Sequence, residues 1–299
     1  MSKNFVALCF GSLVVNTFVI NTTITSLVAS PATAETVMER VARTGVLTAG
    51  TRTDSIPFAY RNTEGDWVGY SIDLLGLIQA ELAQQLGKPI ELDLVEVDTG
   101  NRITEVSESV VDIVCGSTSY TSNRSRLVDF SIGFFRTGTQ FLVKRGNNLE
   151  LGQLRVGVIT GTTNTETVEG YLRIAQFIPM TDRAMGLAAL EADRIDALVS
   201  DGILLEGLRQ SIANPDAYEI IPPSPIEPEV YSCIVPKDNP DFLALVNQTL
   251  VNFMQGAVEG DSQDMTTIER WFGAEGVAPI DNEQLLDFFT QSIKYHQDR

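Results

Sequence analysis

Short apolar runs alternate with segments of helical periodicity along most of this chain, and this alternation constrains the fold more than any other feature of the sequence. Residues 71–86 predict a helix, because leucine and isoleucine recur there at helical spacing. The runs that predict strands are residues 46–50, 90–97, 110–114, 155–160 and 195–199. Strands that alternate with helices are typical of parallel α/β sheets.

Two crossings of extended or irregular chain interrupt this alternation. The first, near residues 134–138, joins extended segments at 130–135 and 139–144, and the second lies near residues 227–231. A proline-rich run precedes the second crossing and cannot continue a regular element. The crossings predict two lobes, in which the two ends of the mature chain form one lobe and the middle forms the other.

Polar loops follow nearly every predicted strand. Arg52 follows the first strand, and Thr99 and Arg102 follow the second. Because open α/β sheets bind ligands beyond the carboxyl ends of their strands, these loops are expected to converge on a cleft. The loop at 161–166 also leads into a predicted helix, whose free amide groups favour an anion.

The most suggestive loop runs from Cys115 to Arg126 and follows the predicted buried strand at residues 110–114. It combines small residues and hydroxyls with the fixed cation of Arg124. Exposed amides and hydroxyls beside an arginine are suited to a carboxylate. The alternative is an ordinary serine-rich connection.

The amino-acid composition limits the kinds of function that this chain can have. The chain has 299 residues of which 43% are hydrophobic, enough for one large or two medium domains. Its formal net charge of -18 argues against nucleic acid as a partner, because no basic stripe is present to displace counterions from phosphates. A small anionic ligand remains compatible, since arginines in a cleft can override the global field.

Residues 1–34 differ from the rest of the chain. Lys3 is their only charged residue, residues 5–20 are mostly apolar, and Ala32-Thr33-Ala34 precedes Glu35. This pattern predicts a secretory signal peptide that is cleaved after Ala34, with an uncleaved anchor as the alternative.

Removal of this segment leaves two cysteines, Cys115 and Cys233, in a compartment that permits disulfides. An even number favours a bridge between them, and two separate buried thiols are the alternative. The only histidine, His296, lies in the C-terminal tail. These residues do not form a metal-ligand cluster at any usual spacing, so neither a metal nor a cofactor is predicted.

Taken in order, several short segments resemble the periplasmic solute-binding proteins for amino acids that feed ABC importers, known as solute-binding protein family 3. The segments that carry the resemblance are Thr51-Arg52, Ile56-Pro57-Phe58, Gly69 to Leu74, Val111-Asp112-Ile113, Arg124 with Val128 to Ser131, Gly161-Thr162-Thr163, Asp196-Ala197 with Asp201, and Trp271-Phe272-Gly273. Within the family the chain is most similar to the glutamate/aspartate binders, through Asn101 to Thr104, Cys115 to Thr118 and Tyr231-Ser232-Cys233.

The resemblance implies a two-lobed α/β fold, the type II periplasmic-binding-protein fold, with two crossover hinge segments and a ligand cleft. Residues 1–34 would be the signal peptide, residues 35–135 and 232–299 would form a discontinuous lobe 1, and residues 136–231 would form lobe 2. The implied protein is a periplasmic monomer, with an amino acid as its ligand and the permease subunits of an ABC transporter as its membrane partner.

The resemblance also implies roles for individual residues. Arg124 would hold the ligand α-carboxylate with Ser119 and with Thr162 or Thr163. Asp201 would accept the α-ammonium, with Ser117 nearby. The side-chain pocket would consist of Arg52, Thr99, Arg102 and Arg183. This set implies a polar, acidic amino acid, glutamate or aspartate, with glutamine or asparagine as further candidates.

Two of these positions depart from the acidic-ligand binders that the chain resembles, which carry a histidine in place of Arg183 and a serine in place of Thr99. Arg183 is longer and permanently charged, so it suits an anion but changes the size of the pocket. Some relatives on the same scaffold are periplasmic dehydratases of prephenate-like acids, and this enzyme is the alternative. His296 lies in none of the site loops, so Asp201 is the one candidate acid or base.

Overall fold

Helices and strands alternate along the chain of the computed structural model, which describes residues 1, 11, 35–146, 154–173 and 175–298. The predicted signal peptide, apart from Met1 and Gly11, lies outside the described residues. The strands are β1 (Val46–Thr51), β2 (Asp54–Ser55), β3 (Ala59–Arg61), β4 (Trp67–Val68), β5 (Glu91–Glu96), β6 (Ile113–Val114), β7 (Val128–Lys144), β8 (Arg155–Ile159), β9 (Gln176–Met180), β10 (Ala197–Asp201), β11 (Tyr218–Ile221) and β12 (Pro228–Pro236).

The helix predicted at residues 71–86 is present and begins one residue earlier, at Tyr70. The helices are α1 (Val37–Thr44), α2 (Tyr70–Leu86), α3 (Arg102–Ser107), α4 (Thr163–Tyr171), α5 (Arg183–Glu191), α6 (Gly202–Gln210), α7 (Pro240–Glu259), α8 (Ser262–Phe272) and α9 (Asn282–Gln297). Of the helices within the described residues, none is long and apolar enough to cross a membrane. Residues from Glu35 onward form one compact unit.

The large sheet has the order β5-β1-β6-β12-β7-β10-β8-β9, and β11 also pairs with β7. The strands β5, β1 and β6 run parallel to one another, as do β9, β8 and β10. The crossing strands β7 and β12 run antiparallel to their neighbours. The sheet is therefore mixed, whereas the alternation of elements predicted parallel sheets.

The first crossing is a single strand. Two extended segments joined through residues 136–138 were predicted, but β7 runs without a break over 17 residues. Its early residues pair with β12, and its later residues pair with β10 along one edge and with β11 along the other. A Cβ at Gly138 would lie 2.2 Å from the carbonyl oxygen of Glu227 and 2.8 Å from Pro225. Glycine therefore allows the two crossings to approach each other.

Other differences from the sequence prediction have local causes. The predicted strand at residues 110–114 is reduced to Ile113 and Val114, because α3 ends in a turn with Ser109 at φ 58° and Val110 is 57% exposed. The strands β9 and β11 were missed. β9 contains Pro179, which is tolerated because β9 is the edge strand of the sheet.

The crossing strands separate buried clusters. An aromatic cluster around Phe58 contacts both crossings, with its ring centroid 5.0 Å from Phe135 and 5.2 Å from Tyr231. On the other side of the crossings, the buried members of two further clusters all fall between Phe141 and Tyr218. The buried core on the two sides of the crossings is therefore made of separate clusters.

Cys115 and Cys233 form a disulfide with an S–S distance of 2.00 Å, which confirms the predicted bridge. Both residues are buried in the same cluster as Phe58. The bridge ties the loop after β6 to β12 and closes a sequence separation of 118 residues.

The disulfide gives a testable prediction. We expect the paired substitution Cys115→Ser and Cys233→Ser, in a protein that starts at Glu35, to lower the free energy of unfolding by about 2–5 kcal/mol, because the unfolded chain loses a constraint across a long loop. Urea unfolding of both proteins measures this difference. Reductant should lower the midpoint of the parent protein but leave the double variant unchanged. Two reactive thiols in the unfolded, unreduced parent would contradict the bridge.

Candidate functional site

The predicted ligand residues come together at one cavity. Its lining residues are Thr99, Arg102, Ser117, Ser119, Arg124, Thr162, Thr163, Asn164, Arg183 and Asp201. Every predicted residue except Arg52 is in this set, and Asn164 is an addition that the sequence did not single out. The lining residues follow β5, β6, β8 and β9 or end β10, as the rule for carboxyl ends of strands predicts.

One wall connects loops that are remote in sequence. Arg124 donates from Nη1 to the carbonyl oxygen of Ser119 at 2.9 Å and from Nη2 to that of Gly161 at 3.3 Å. Thr99 Oγ1 donates to the carbonyl oxygen of Thr160 at 2.9 Å. Gly161 has a φ of +80°, and a Cβ there would lie 3.1 Å from the Thr99 carbonyl oxygen, so this contact depends on glycine.

The threonines that follow β8 differ in their contacts. Thr162 caps α4: its hydroxyl accepts from the amide of Thr165 and donates to the carbonyl oxygen of Ile159 at 2.8 Å. Thr163 instead directs its hydroxyl to Glu229, at 2.7 Å. Both hydroxyls therefore already donate within the protein, and these contacts do not decide which of the two threonines fits the predicted role.

Asp201 ends β10 and is 4% exposed. Its carboxylate accepts from the Tyr231 hydroxyl at 2.6 Å and from Asn164 Nδ2 at 3.1 Å. Burial raises the pKa of Asp201, and the hydrogen bonds from Tyr231 and Asn164 oppose this rise. The sequence identified Asp201 but not the two side chains that orient it.

Glu229 is a second buried acid behind this wall and was missed by the sequence prediction. Its side chain accepts hydrogen bonds from the hydroxyls of Ser119 and Thr163. Burial and the nearby Asp201 raise the pKa of Glu229 to about 7, against those two hydrogen bonds and the charge of Arg124. The available signal was strand periodicity, which places Glu229 on the same face of β12 as Tyr231.

The opposite end of the cavity is rich in arginine, and one carboxylate joins two of them. Asp54 accepts from Arg52 Nε and from Arg183 Nη1, both at 2.9 Å. Arg183 Nε also donates to Ser200 Oγ at 3.0 Å. Burial raises the pKa of Asp54, but the charges of Arg183 and Arg52 outweigh this effect and hold it below its usual range. Asp54 was not among the predicted site residues.

Arg102 is different, because its guanidinium has neither a hydrogen-bond partner nor an ion-pair partner among the described residues. It begins α3, is 3% exposed and lines the cavity. Its buried Nε atom is unsatisfied, as is Nη1 of Arg52. Burial, together with the charges of Arg52, Arg124 and Arg183, lowers the pKa of Arg102 to about 9. Unsatisfied buried N–H groups beside uncompensated positive charge are an anion-binding arrangement.

The cavity lining therefore combines the unpaired guanidinium of Arg102 with the carboxylate of Asp201. Ser117 also lines the cavity, and its hydroxyl lies 3.1 Å from the hydroxyl of Ser55. Among the described residues, no group of three or more histidine, cysteine, aspartate or glutamate side chains is arranged to hold a metal ion. The cavity has a volume of about 10 Å³ in this structure, room for about one water molecule, and its lining presents groups that complement a small molecule with both anionic and cationic groups.

Comparison with known proteins shows the family. The family of bacterial extracellular solute-binding proteins, family 3, matches residues 47–274. The chain belongs to this family, as the sequence resemblance predicted. Its structure has the two-lobed type II fold of the periplasmic amino-acid-binding proteins.

Several relatives are similar over most of their length. The chain is 30% identical over 253 residues to the glutamate/aspartate import solute-binding protein of Escherichia coli strain K12, which covers 82% of each chain. It is also 30% identical over 244 residues to the L-glutamate/L-aspartate-binding protein of Pseudomonas aeruginosa, covering 77% of this chain and 80% of that protein. These relatives are binding proteins, which favours binding over catalysis.

One enzyme is also similar. The cyclohexadienyl dehydratase of Pseudomonas aeruginosa is 26% identical over 252 residues, covering 81% of this chain and 90% of the enzyme. Among solved structures, an ancestral amino acid-binding protein, a precursor of cyclohexadienyl dehydratase, superposes with a TM-score of 0.66 at 22% identity, covering 79% of this chain and 99% of that one. At this identity the likeness concerns the fold alone.

The pKa of Glu229 gives a prediction for stability. Glu229 has its ordinary pKa of 4.5 in the unfolded chain and a pKa of about 7 in the folded protein. As the pH rises, the unfolded chain therefore loses the proton of Glu229 at a lower pH than the folded protein does. The stability that this group contributes is therefore complete below pH 4.5 and is lost as pH rises to 7. We expect Glu229→Gln to become more stable relative to the parent by about 1–3 kcal/mol between pH 4.5 and pH 8.

Urea unfolding at a series of pH values measures this difference. Glu91→Gln, on the exposed strand β5, is the control for removal of one carboxylate. A difference between Glu229→Gln and the parent that does not grow with pH would contradict an ionisable carboxyl group in this buried position.

Proposed function

We propose that this protein is an extracytoplasmic receptor that captures an acidic amino acid between its lobes and delivers it to an ABC permease. The observation that carries the proposal is Arg102, a buried guanidinium without a side-chain partner in the described part of the chain, in the same cavity as Asp201. A buried charge is costly unless it is paired. A ligand carboxylate is the group that would pair it.

In this proposal each charged group of the ligand is bound by its own set of side chains. Arg124, with Ser119 and with Thr162 or Thr163, holds the α-carboxylate. Asp201, with Ser117 nearby, accepts the α-ammonium. The side-chain carboxylate contacts Arg102, within a pocket completed by Arg52, Thr99 and Arg183. Glutamate and aspartate carry all three charged groups, while glutamine and asparagine lack the one that Arg102 requires.

We also propose boundaries for the lobes: residues 35–135 and 232–299 for lobe 1, and residues 136–231 for lobe 2. The exchange of strand partners along β7 supports the first boundary, since its early residues pair with β12 and its later residues pair with β10 and β11. The buried clusters confined to residues between Phe141 and Tyr218 support lobe 2. Ile203 and Leu204 of α6 pack into the larger cluster instead, across this boundary.

The location and partners follow from the same proposal. The predicted signal peptide at residues 1–34 supports export to the periplasm. The names of the relatives, which include a solute-binding protein for import, support a permease as the membrane partner. The net charge of -18 supports a monomeric receptor without a nucleic-acid partner.

The alternative function is a dehydratase of a prephenate-like cyclic acid. The similar dehydratase supports it, and so does Glu229, because a pKa of about 7 suits a general acid at neutral pH. Glu229 does not belong to the set of described residues that line the cavity, however. Incubation with such an acid should give no turnover, and product formation at a rate that Glu229→Gln abolishes would favour the enzyme.

Calorimetric titration of the protein from Glu35 onward against a panel of amino acids tests the proposed ligand class. We expect heat of binding with glutamate or aspartate and weaker binding of the corresponding amides. Binding of neutral or basic amino acids in preference to acidic ones would contradict the proposal, as would the absence of any binding.

Arg102→Met tests the side-chain contact. The substitution keeps an unbranched apolar stem but removes the charge, so a ligand carboxylate loses its partner. We expect binding of the acidic amino acid to weaken by about 2–4 kcal/mol, on the order of 30- to 700-fold in Kd, while the amide loses much less. Arg270→Gln, an exposed arginine outside the cavity lining, is the control. Equal losses for acid and amide would contradict this role.

Arg124→Ala tests the α-carboxylate contact. Because every amino acid carries this group, we expect the variant to lose measurable binding of acids and amides alike. Calorimetry with both ligand types measures the effect, and urea unfolding checks that the variant is folded. Retained affinity in a folded variant would refute the assignment of Arg124.

A further inference from the structure

The carboxylate of Asp54 lies between two arginines that are far apart in sequence. Arg52 is two residues away, whereas Arg183 is separated from Asp54 by 129 residues. In the proposed division, Asp54 belongs to lobe 1 and Arg183 to lobe 2. The contact therefore spans the cleft in which the ligand is proposed to bind.

All three side chains of this group are withdrawn from solvent. The exposed fractions of the side chains alone are 6% for Arg52, 15% for Asp54 and 4% for Arg183. In such surroundings an opposite charge within hydrogen-bond distance has a large effect on the charged state of its partner. Burial lowers the pKa of Arg52, and the nearby charge of Arg183 adds to this effect. Asp54 therefore separates two buried like charges.

Asp54 also fixes where these arginines point. Arg183 Nη1 donates to both the carboxylate and the backbone carbonyl oxygen of Asp54, while its Nε is directed to Ser200. Arg52 directs Nε to the same carboxylate. Arg102 makes no comparable contact among the described residues. Of the three arginines at this end of the site, two are already engaged and one is available.

We propose that Asp54 is a positioning residue that determines specificity, engaging Arg52 and Arg183 across the cleft so that Arg102 alone reads the charge of the ligand side chain. This inference rests on the proposed function. It also changes the expected role of Arg183, which completes the pocket and holds the lobes together instead of serving as the principal ligand contact. The three guanidinium groups carry a total charge of about +3, and the carboxylate of Asp54 lowers the net charge that the ligand meets to about +2.

The substitution Asp54→Asn separates this role from a structural one, because it keeps the size of the side chain and removes its charge. The freed guanidinium groups of Arg52 and Arg183 would then seek the ligand carboxylate. We expect the ratio of the Kd for the amide to the Kd for the acid to rise at least tenfold, measured by calorimetry with glutamine and glutamate and with asparagine and aspartate. Loss of a purely structural contact would weaken both ligands together.

Arg183→Gln and the double variant Asp54→Asn/Arg183→Gln complete a double-mutant cycle. Arg183→Gln alone should lower the ratio of the Kd for the amide to the Kd for the acid, because the charge of Asp54 is then opposed by Arg52 alone. The double variant should return to within about threefold of the parent ratio, since both changes are made to one interaction. Asp129→Asn, which removes a partly exposed carboxylate paired with Lys237, is the matched control and should leave the ratio unchanged.

The outcomes distinguish this inference from the proposed function. If the parent protein prefers acids but the ratio in Asp54→Asn stays within threefold of the parent or falls, the role of Asp54 is overturned and the receptor function stands. If the parent binds no amino acid, both are overturned. Should Asp54→Asn fail to fold, Arg183→Gln still decides the matter: an unchanged ratio in that variant overturns the proposed charge balance.

Discussion

The burial of charged side chains is the constraint on which the rest of this site depends. Arg52, Arg102 and Arg183 are each 5% exposed or less. Removing a guanidinium from water costs several kcal/mol unless an opposite charge and hydrogen bonds replace the lost solvation. Asp54 supplies these for Arg52 and Arg183, but no described residue does so for Arg102. The protein thus maintains an uncompensated charge that an anionic ligand would balance, at the position where ligand specificity would be decided.

The crossing strands make this concentration of charge possible. β12 carries Cys233 into the disulfide, Tyr231 into contact with Asp201, and Glu229 behind the loops that contain Ser119 and Thr163. One strand therefore anchors the core and orients both acidic groups of the site. Because Ser119 and Thr163 belong to different proposed lobes, movement of one lobe relative to the other would change the surroundings of Glu229.

Much of this arrangement could be predicted from local sequence, because the relevant rules are local. Strand and helix periodicity placed Thr99, Ser117 and Asp201 at the carboxyl ends of strands, where side chains of an α/β sheet converge. The family resemblance then assigned roles to them. The limits of short elements were less predictable, since Ile113 and Val114 form a strand only through pairing with β1 and β12.

The residues that were missed are those whose significance arises from contacts between distant segments. Asp54 gains its role through Arg183, 129 residues away, and Glu229 through Ser119, 110 residues away. In the sequence each is an ordinary acidic residue beside a turn or proline. Neither periodicity nor spacing reports that a carboxylate lies between two arginines or behind two hydroxyl groups.

Arg183 and Asp54 are best understood together. A histidine at the position of Arg183 could give up its charge when buried without a partner. An arginine cannot do so, because its charge persists in proteins. An arginine buried in such a pocket therefore requires a resident carboxylate, and Asp54 lies 2.9 Å from Arg183 Nη1, in the position to provide it. Asp54 thus offsets the charge that Arg183 brings into the pocket, and Arg102 is left as the unpaired guanidinium that the proposed acidic ligand would meet.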